Sequence, residues 1–218
     1  VASLVGSEMC IRDSSNGLKN AYVRPIAWRG SEMMAVSAQK TTINVAIASW
    51  AWPSYFDPSE KMKGIKLDIA KWRRPDPNCA PVHVKASGLY MICTLSKHDA
   101  EAKGYSDAVM LDWRNLIAEA TGANIFFKFK DGNLYTPKPD CFLDGITRRT
   151  VIKLAKDLGV NTIEKQLRLD DIHDAEECFL TGTAAEVTPV SQIGEHLKFT
   201  PGELSFNLMK AYEKVVNS

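Results

Sequence analysis

Between Asp107 and Thr136 the chain carries a series of short segments rich in apolar, β-branched and aromatic residues, separated by polar or glycine-containing sequence. Asp131-Gly132 is a dipeptide typical of a tight hairpin turn, and it separates the last two segments. Segments of this length and composition predict a run of antiparallel strands. The four segments are residues 107–112, 116–119, 124–130 and 134–136.

Helical patterns flank this run. Residues 145–159 predict the clearest helix, because Val151, Ile152, Ala155 and Leu158 form an apolar stripe and a glycine closes the segment. Further helices are predicted at 86–103 and 204–216, and further strands at 64–72, 162–169, 178–181 and 186–190. Strands and helices interleaved in this way indicate an α+β fold rather than a regular parallel α/β repeat.

The first quarter of the chain has a different organisation. Residues 4–14 resemble the conceptual translation of a transposase sequencing adapter, so we expect 1–14 to be a non-native leader. Residues 19–28 and 41–50 predict two strands of one sheet. Pro53 and Pro58 lie in polar sequence that favours a connection between domains. The predicted domains are 15–51, part of a small domain, then a linker at 52–61, and a large domain at 62–218.

Composition excludes several classes of function. The 27 basic and 26 acidic residues are interspersed, without the basic run that binding to nucleic acid favours. No segment approaches the roughly 20 apolar residues of a membrane-spanning helix. The five cysteines form no Cys-x-x-Cys pair or metal-ligand cluster, which predicts reduced thiols, a cytoplasmic protein and no metal site.

Three places invite a chemical interpretation. Lys85 lies between Val84 and Ala86 at a predicted junction of strand and helix, where partial burial would favour a neutral, reactive amine; a lysine with a buried stem and a solvated amine is the alternative. Gly145 opens the predicted helix 145–159, whose first N–H groups could bind an anion or only a cap and water. Small residues at 181–185 could bring backbone N–H groups close to a ligand or form a tight turn.

These places occur in order with other motifs. From Tyr22 to near the C-terminus the chain resembles the branched-chain aminotransferases of the class IV, or fold-type-IV, pyridoxal-phosphate-dependent family. The matching segments are 21–25 (AYVRP), 52–55 (WPSY), 84–90 (VKASGLY), 117–124 (IAEATGAN), 143–148 (LDGITR) and 181–189 (TGTAAEVTP).

The resemblance implies a small α/β domain and a larger domain whose mixed or antiparallel sheet forms a pseudo-barrel with helices. It also implies pyridoxal 5'-phosphate as cofactor, held by Lys85 as a Schiff base. Lys85 would then carry the substrate's α-proton. The cofactor-binding residues implied are Lys85, Tyr90 at the phenolic oxygen, Glu119 at the pyridine nitrogen, Leu143 on the ring face, and Ile146, Thr147 and Thr183 at the phosphate.

The resemblance also assigns a substrate side. Tyr22 and Arg24 match the family's Tyr-x-Arg, while the N–H groups of Ala184 and Ala185 match its turn at the α-carboxylate. Trp52 and Tyr55 would line an apolar side-chain pocket, with core packing as the alternative. The implied reaction exchanges an amino group between L-leucine, L-isoleucine or L-valine and 2-oxoglutarate, in a homodimer when the chain is full length.

Two departures from the family pattern leave alternatives open. Residues 28–36 (WRGSEMMAV) stand where the family usually has a glycine-rich pocket loop, so a D-amino-acid or (R)-amine transaminase, or an aminodeoxychorismate lyase, remains possible. The family's early segment, which supplies a further phosphate-binding arginine, does not precede Tyr22. We therefore expect a truncated chain with impaired turnover, and a non-catalytic cofactor-binding fragment is the remaining alternative.

Overall fold

The structure is a computed structural model that describes residues 16–18, 21–52 and 58–217. The chain divides into two compact units, Val1–Tyr55 and Phe56–Ser218. In the smaller unit, strands β1 (Tyr22–Arg29) and β2 (Ile43–Trp50) form an antiparallel hairpin. Two strands in one sheet were predicted here, and the prediction is confirmed.

The larger unit is built on one mixed sheet of nine strands, counted within the described residues. The strands are β3 (Ile65–Ile69), β4 (Asp107–Leu111), β5 (Ile117–Ala120), β6 (Asn124–Phe129), β7 (Leu134–Pro137), β8 (Thr162–Lys165), β9 (Ala175–Gly182), β10 (Glu186–Ile193) and β11 (Leu197–Lys198). Their order is β5-β4-β3-β10-β9-β6-β7-β8, and β11 pairs with the end of β10.

The strands from β4 to β7 do not form the continuous antiparallel run that the sequence predicts. β4 pairs antiparallel with β5 and β6 with β7, but β3, β10 and β9 lie between these two hairpins. β3 pairs in parallel with both β4 and β10, and β7 with β8. Turn residues specify only local pairs, whereas pairing between distant strands depends on which faces are buried together. The sheet is mixed, and the α+β class is confirmed.

Four helices are described: α1 (Pro58–Lys63), α2 (Tyr90–Ala102), α3 (Ile146–Asp157) and α4 (Glu203–Val216). α1 lies partly within the predicted irregular linker, because proline is well tolerated in the first turn of a helix. α2 begins after a short 3-10 helix, Ser87–Leu89, rather than at residue 86. Among the described residues, no helix combines the length and apolar character needed to span a bilayer.

Neighbouring residues of β6 face two different cores, as alternation along a strand requires. Phe126 stacks on Phe179 of β9, with ring centroids 5.1 Å apart, in the core covered by α3 and α4. Phe127 faces the opposite core, which consists of strand and connecting residues. The sheet therefore curls around a core of its own, in agreement with the pseudo-barrel implied by the resemblance.

The buried carboxylate of Glu177 on β9 caps the start of α4. It accepts hydrogen bonds from the backbone N–H groups of Leu204 (3.3 Å) and Ser205 (2.8 Å), and from the Ser205 hydroxyl. A Cβ at Gly202 would overlap this carboxylate, so only glycine fits there.

Replacing Glu177 by glutamine should lower the free energy of unfolding by about 1–3 kcal/mol, because buried N–H donors lose a charged acceptor. Urea denaturation measures the change. Glu176→Gln is the matched control, since Glu176 is the exposed neighbour on the same strand. Equal denaturation midpoints for the two variants would contradict the capping role.

Candidate active site

A cavity of about 330 Å³ opens in the larger unit. The loop before α2, the β5–β6 connection, the start of α3 and the β9–β10 turn surround it. All seven residues predicted to bind the cofactor line this cavity. They are Lys85, Tyr90, Glu119, Leu143, Ile146, Thr147 and Thr183.

Lys85 lies in the loop that precedes the 3-10 helix, and its amine donates a hydrogen bond to the Tyr90 hydroxyl at 2.6 Å. The expectation of a partly buried lysine after a strand is wrong: residues 81–86 form a loop that contains a turn, and Lys85 is exposed. Val84 beside it is 57% exposed. Apolar neighbours in sequence therefore do not imply burial in a loop, and the amine is accessible to a ligand in the cavity.

Glu119 of β5 occupies the buried part of the site. Its side chain is almost inaccessible, with Oε1 lying 3.4 Å from Nε of the equally buried Arg74. Burial raises the pKa of Glu119 to about 7, although the positive charges of Arg74 and Lys85 lower it. The alternative of a strand-end carboxylate facing water is excluded. A carboxyl with this pKa can gain or hold a proton near neutral pH.

Arg74 is fixed by the sheet as well as by Glu119. Its backbone N–H donates to the Leu111 carbonyl at 2.8 Å, and its guanidinium lies 3.8 Å from the Cys93 sulfur. Sequence reasoning missed Arg74, because nothing distinguishes it from the other basic residues until β3 and β5 bring it beside Glu119.

The start of α3 forms another wall of the cavity. Gly145 is the N-cap residue and offers no side-chain cap, so the first N–H groups of α3 lack intrahelical partners. Thr147 is buried with its hydroxyl 3.2 Å from that of Tyr212, whereas Ile146 is 76% exposed. This end of the helix is suited to an anion.

Charged residues around this helix start are themselves paired. Asp144 lies next to the cap, and its carboxylate accepts a hydrogen bond from the buried Arg148 at 2.8 Å. Arg149 lies 3.8 Å from the same carboxylate, and Arg148 also binds Glu164 of β8 and the Pro137 carbonyl. The positive charge of Arg148 and Arg149 offsets the repulsion that Asp144 would exert on a bound anion.

The β9–β10 turn brings small residues to the cavity. Thr183 is exposed on it, and Ala184 and Ala185 complete the turn. The Thr188 hydroxyl donates to the Ala185 carbonyl at 2.6 Å, which holds the turn in shape. Thr181 on β9, which sequence reasoning did not single out, lines the cavity with a buried hydroxyl that has no hydrogen-bond partner among the described residues.

The predicted substrate residues of the smaller unit cluster there. The rings of Tyr22 and Trp52 have centroids 4.9 Å apart, and Trp50 lies 5.2 Å from Tyr22 and 5.5 Å from Trp52. The Arg24 guanidinium carbon lies 5.5 Å from the centroid of the Tyr22 ring. Sequence reasoning missed Trp50, which strand register places opposite Tyr22. Tyr55 lies outside the described residues.

One further group has the spacing of a metal site within the described part of the chain, namely Asp112, Asp140 and Cys141. Arg114 lies 2.6 Å from Asp112 and 2.8 Å from Asp140, so the carboxylates already have a cationic partner. We interpret the group as a salt-bridge cluster. The four described cysteines, Cys79, Cys93, Cys141 and Cys178, are free thiols, as predicted.

Comparison with known proteins decides the family. The family model described as "Amino-transferase class IV" matches residues 13–193. This chain belongs to the class IV aminotransferases. Among class IV members, it is 39% identical over 219 residues to a probable branched-chain-amino-acid aminotransferase from Rickettsia conorii, and the match covers 99% of this chain and 73% of that relative.

Solved class IV structures share the fold. A branched-chain aminotransferase from Thermoproteus uzoniensis with norvaline superposes with a TM-score of 0.91 at 32% identity, covering 99% of this chain and 71% of that one. The branched-chain amino acid aminotransferase of T.th., complexed with N-(5'-phosphopyridoxyl)-L-glutamate, gives a TM-score of 0.86 at 35% identity, covering 94% and 67% respectively.

Proposed function

We propose that this chain is a pyridoxal-phosphate-dependent transaminase acting on branched-chain L-amino acids, with Lys85 as its catalytic amine. The observation that carries the proposal is the Lys85 amine, 2.6 Å from the Tyr90 hydroxyl, in the same cavity as Glu119 and the start of α3. An amine, a buried carboxylate and an uncapped helix start together match the three polar parts of a phosphorylated pyridine aldehyde.

The residues present fit that cofactor. Thr181 leaves a buried hydroxyl in the cavity wall without a partner among the described residues, and the cap residue Gly145 leaves the N–H groups of Ile146 and Thr147 free of a side-chain cap. Thr183 adds a hydroxyl to the same wall. When bound, pyridoxal phosphate supplies an aldehyde carbon for the amino group and a ring that accepts the electrons of the substrate's α-carbon.

Each protein group then has a role that its environment supports. Lys85 holds the cofactor covalently and, once released, moves a proton at Nζ, since only a primary amine can do both. Tyr90 orients that amine through its hydroxyl. Glu119 accepts a charge-assisted hydrogen bond from the ring nitrogen, with Arg74 favouring its ionised form. Leu143 covers a ring face.

The substrate side rests on the class IV resemblance and the relatives. We propose that Tyr22, Arg24, Trp52 and Tyr55, together with the N–H groups of Ala184 and Ala185, bind the amino acid. Norvaline and a glutamate adduct occur in the named structures of relatives, which supports a linear or branched aliphatic donor and a 2-oxoglutarate acceptor. Such a donor binds mainly by burial, at about 0.8 kcal/mol per methylene.

The identity to branched-chain enzymes favours this activity over D-amino-acid or (R)-amine transamination and over aminodeoxychorismate lysis. We further propose a homodimeric, cytoplasmic enzyme, and a domain boundary within residues 52–61. The division of the chain between Tyr55 and Phe56 supports that boundary.

Adding L-leucine to the chain loaded with pyridoxal phosphate should shift the visible absorbance band, with 4-methyl-2-oxopentanoate appearing in equal amount. L-glutamate should form when 2-oxoglutarate follows. D-leucine is the matched control and should leave the band unchanged. A band that responds only to D-leucine, or that stays fixed with L-leucine while the cofactor is bound, would overturn the proposed activity.

A further inference from the structure

Asn124 at the start of β6 connects the sheet to the loop that begins α3. Its side-chain amide donates a hydrogen bond to the Leu143 carbonyl at 2.9 Å. Its carbonyl oxygen accepts one from the Gly145 N–H at 3.3 Å. Asn124 is 6% exposed and lines the cavity. Two residues of one loop are therefore held by one buried side chain that belongs to a different element.

The orientation of this amide follows from its partners. The Gly145 N–H can only donate and the Leu143 carbonyl can only accept, so the oxygen must face Gly145 and the nitrogen Leu143. Aspartate would place an oxygen against the Leu143 carbonyl, and alanine would leave both backbone groups without this partner. A Cβ at Gly145 would also overlap the Asn124 oxygen, so the contact requires asparagine and glycine together.

We propose that Asn124 is a positioning residue that shapes the start of α3 into a phosphate-binding site and holds Leu143 at the adjacent ring position. It satisfies the Gly145 N–H without adding charge. The N–H groups of Ile146 and Thr147 thus remain available to an anion, and the positive end of the helix dipole is not neutralised.

A second observation places an anion at this end of the cavity. Thr181 lies opposite Asn124 across the β6–β9 pair and is 1% exposed, and its hydroxyl has no hydrogen-bond partner within the described part of the chain. Buried hydroxyls are normally satisfied, so this group indicates a ligand acceptor. The inference rests on the proposed function, because it assigns the anion as the cofactor's phosphate.

The test compares pyridoxal phosphate with pyridoxal, which lacks the phosphate, in binding titrations of the full chain. Asn124→Asp should weaken pyridoxal phosphate by about tenfold or more, because it adds a negative charge beside the phosphate and loses the bond to Leu143. Pyridoxal affinity should change by less than about twofold. Asn124→Ala should give a smaller loss, again specific to the phosphate. Asn207→Asp, on the exposed side of α4, adds the same charge as a control.

The outcomes separate this inference from the proposed function. If the unsubstituted chain binds neither compound, the proposed function fails. If it binds both and Asn124→Asp retains the phosphate preference, the positioning role is wrong. A variant that loses both compounds equally also contradicts the role, since a general loss of structure would act on both. Thermal unfolding of the ligand-free variants verifies that each is folded during the titration.

Discussion

The Lys85→Ala variant is expected to lose covalent cofactor attachment and to fall below detectable turnover. Among the described residues that line the cavity, no other side chain offers a primary amine. Proton transfer alone contributes about 10²–10⁴-fold to such reactions, and the variant loses attachment as well. Absorbance of the loaded chain and the rate of 2-oxo acid formation from L-leucine measure the two losses separately.

Lys71→Ala is the matched control for this variant, because Lys71 is an exposed lysine outside the cavity. It should retain both the absorbance band and the turnover of the unsubstituted chain. Adding a small primary amine to Lys85→Ala should restore part of the proton transfer. Full activity of Lys85→Ala without added amine would show that another group carries the chemistry.

Glu119→Gln should have the next largest effect, on both catalysis and pH dependence. A neutral amide cannot keep the ring nitrogen protonated as a carboxylate does, so turnover should fall by about 10²-fold or more, corresponding to the loss of at least one charge-assisted hydrogen bond. Because Arg74 can still donate to the amide oxygen, the variant should fold. The rate of 2-oxo acid formation from L-leucine measures the loss.

The same variant tests the pKa of Glu119 in the ligand-free chain. A carboxyl whose pKa is raised to about 7 binds more protons when folded than when unfolded between about pH 4.5 and 7, so stability falls as pH rises through this window. At about 1.4 kcal/mol per pKa unit, this group contributes roughly 3 kcal/mol to the fall.

Urea denaturation at pH 5 and at pH 8 measures that difference. Glu119→Gln should reduce it, whereas the exposed Glu176→Gln should leave it unchanged. An unchanged pH dependence in Glu119→Gln would mean that the carboxylate is already ionised at pH 5 in the folded chain.

Sequence patterns were most informative where structure is local. Hydrophobic periodicity predicted α3 and α4 to within a few residues, and the Asp131-Gly132 dipeptide predicted the turn between β6 and β7. The insertion of β3, β10 and β9 between the two hairpins was not predictable in this way. Parallel pairing between distant strands leaves no local turn signature, since it is decided by burial on both faces of the sheet.

The candidate site shows the same division. Motif order named Lys85, Glu119 and the start of α3, which the fold brings to one cavity. Arg74 and Asn124 escaped notice because each acts through a tertiary contact, one with a buried carboxylate and the other with a loop nineteen residues away. Supporting residues of this kind become recognisable only when burial and hydrogen-bond partners are known.

Borohydride reduction of the chain loaded with pyridoxal phosphate, followed by peptide mass mapping, tests the central claim most directly. The account predicts one modified peptide, carrying the reduced cofactor on Lys85. Cofactor mass on a different lysine, or on none while Lys85 remains unmodified, would contradict it.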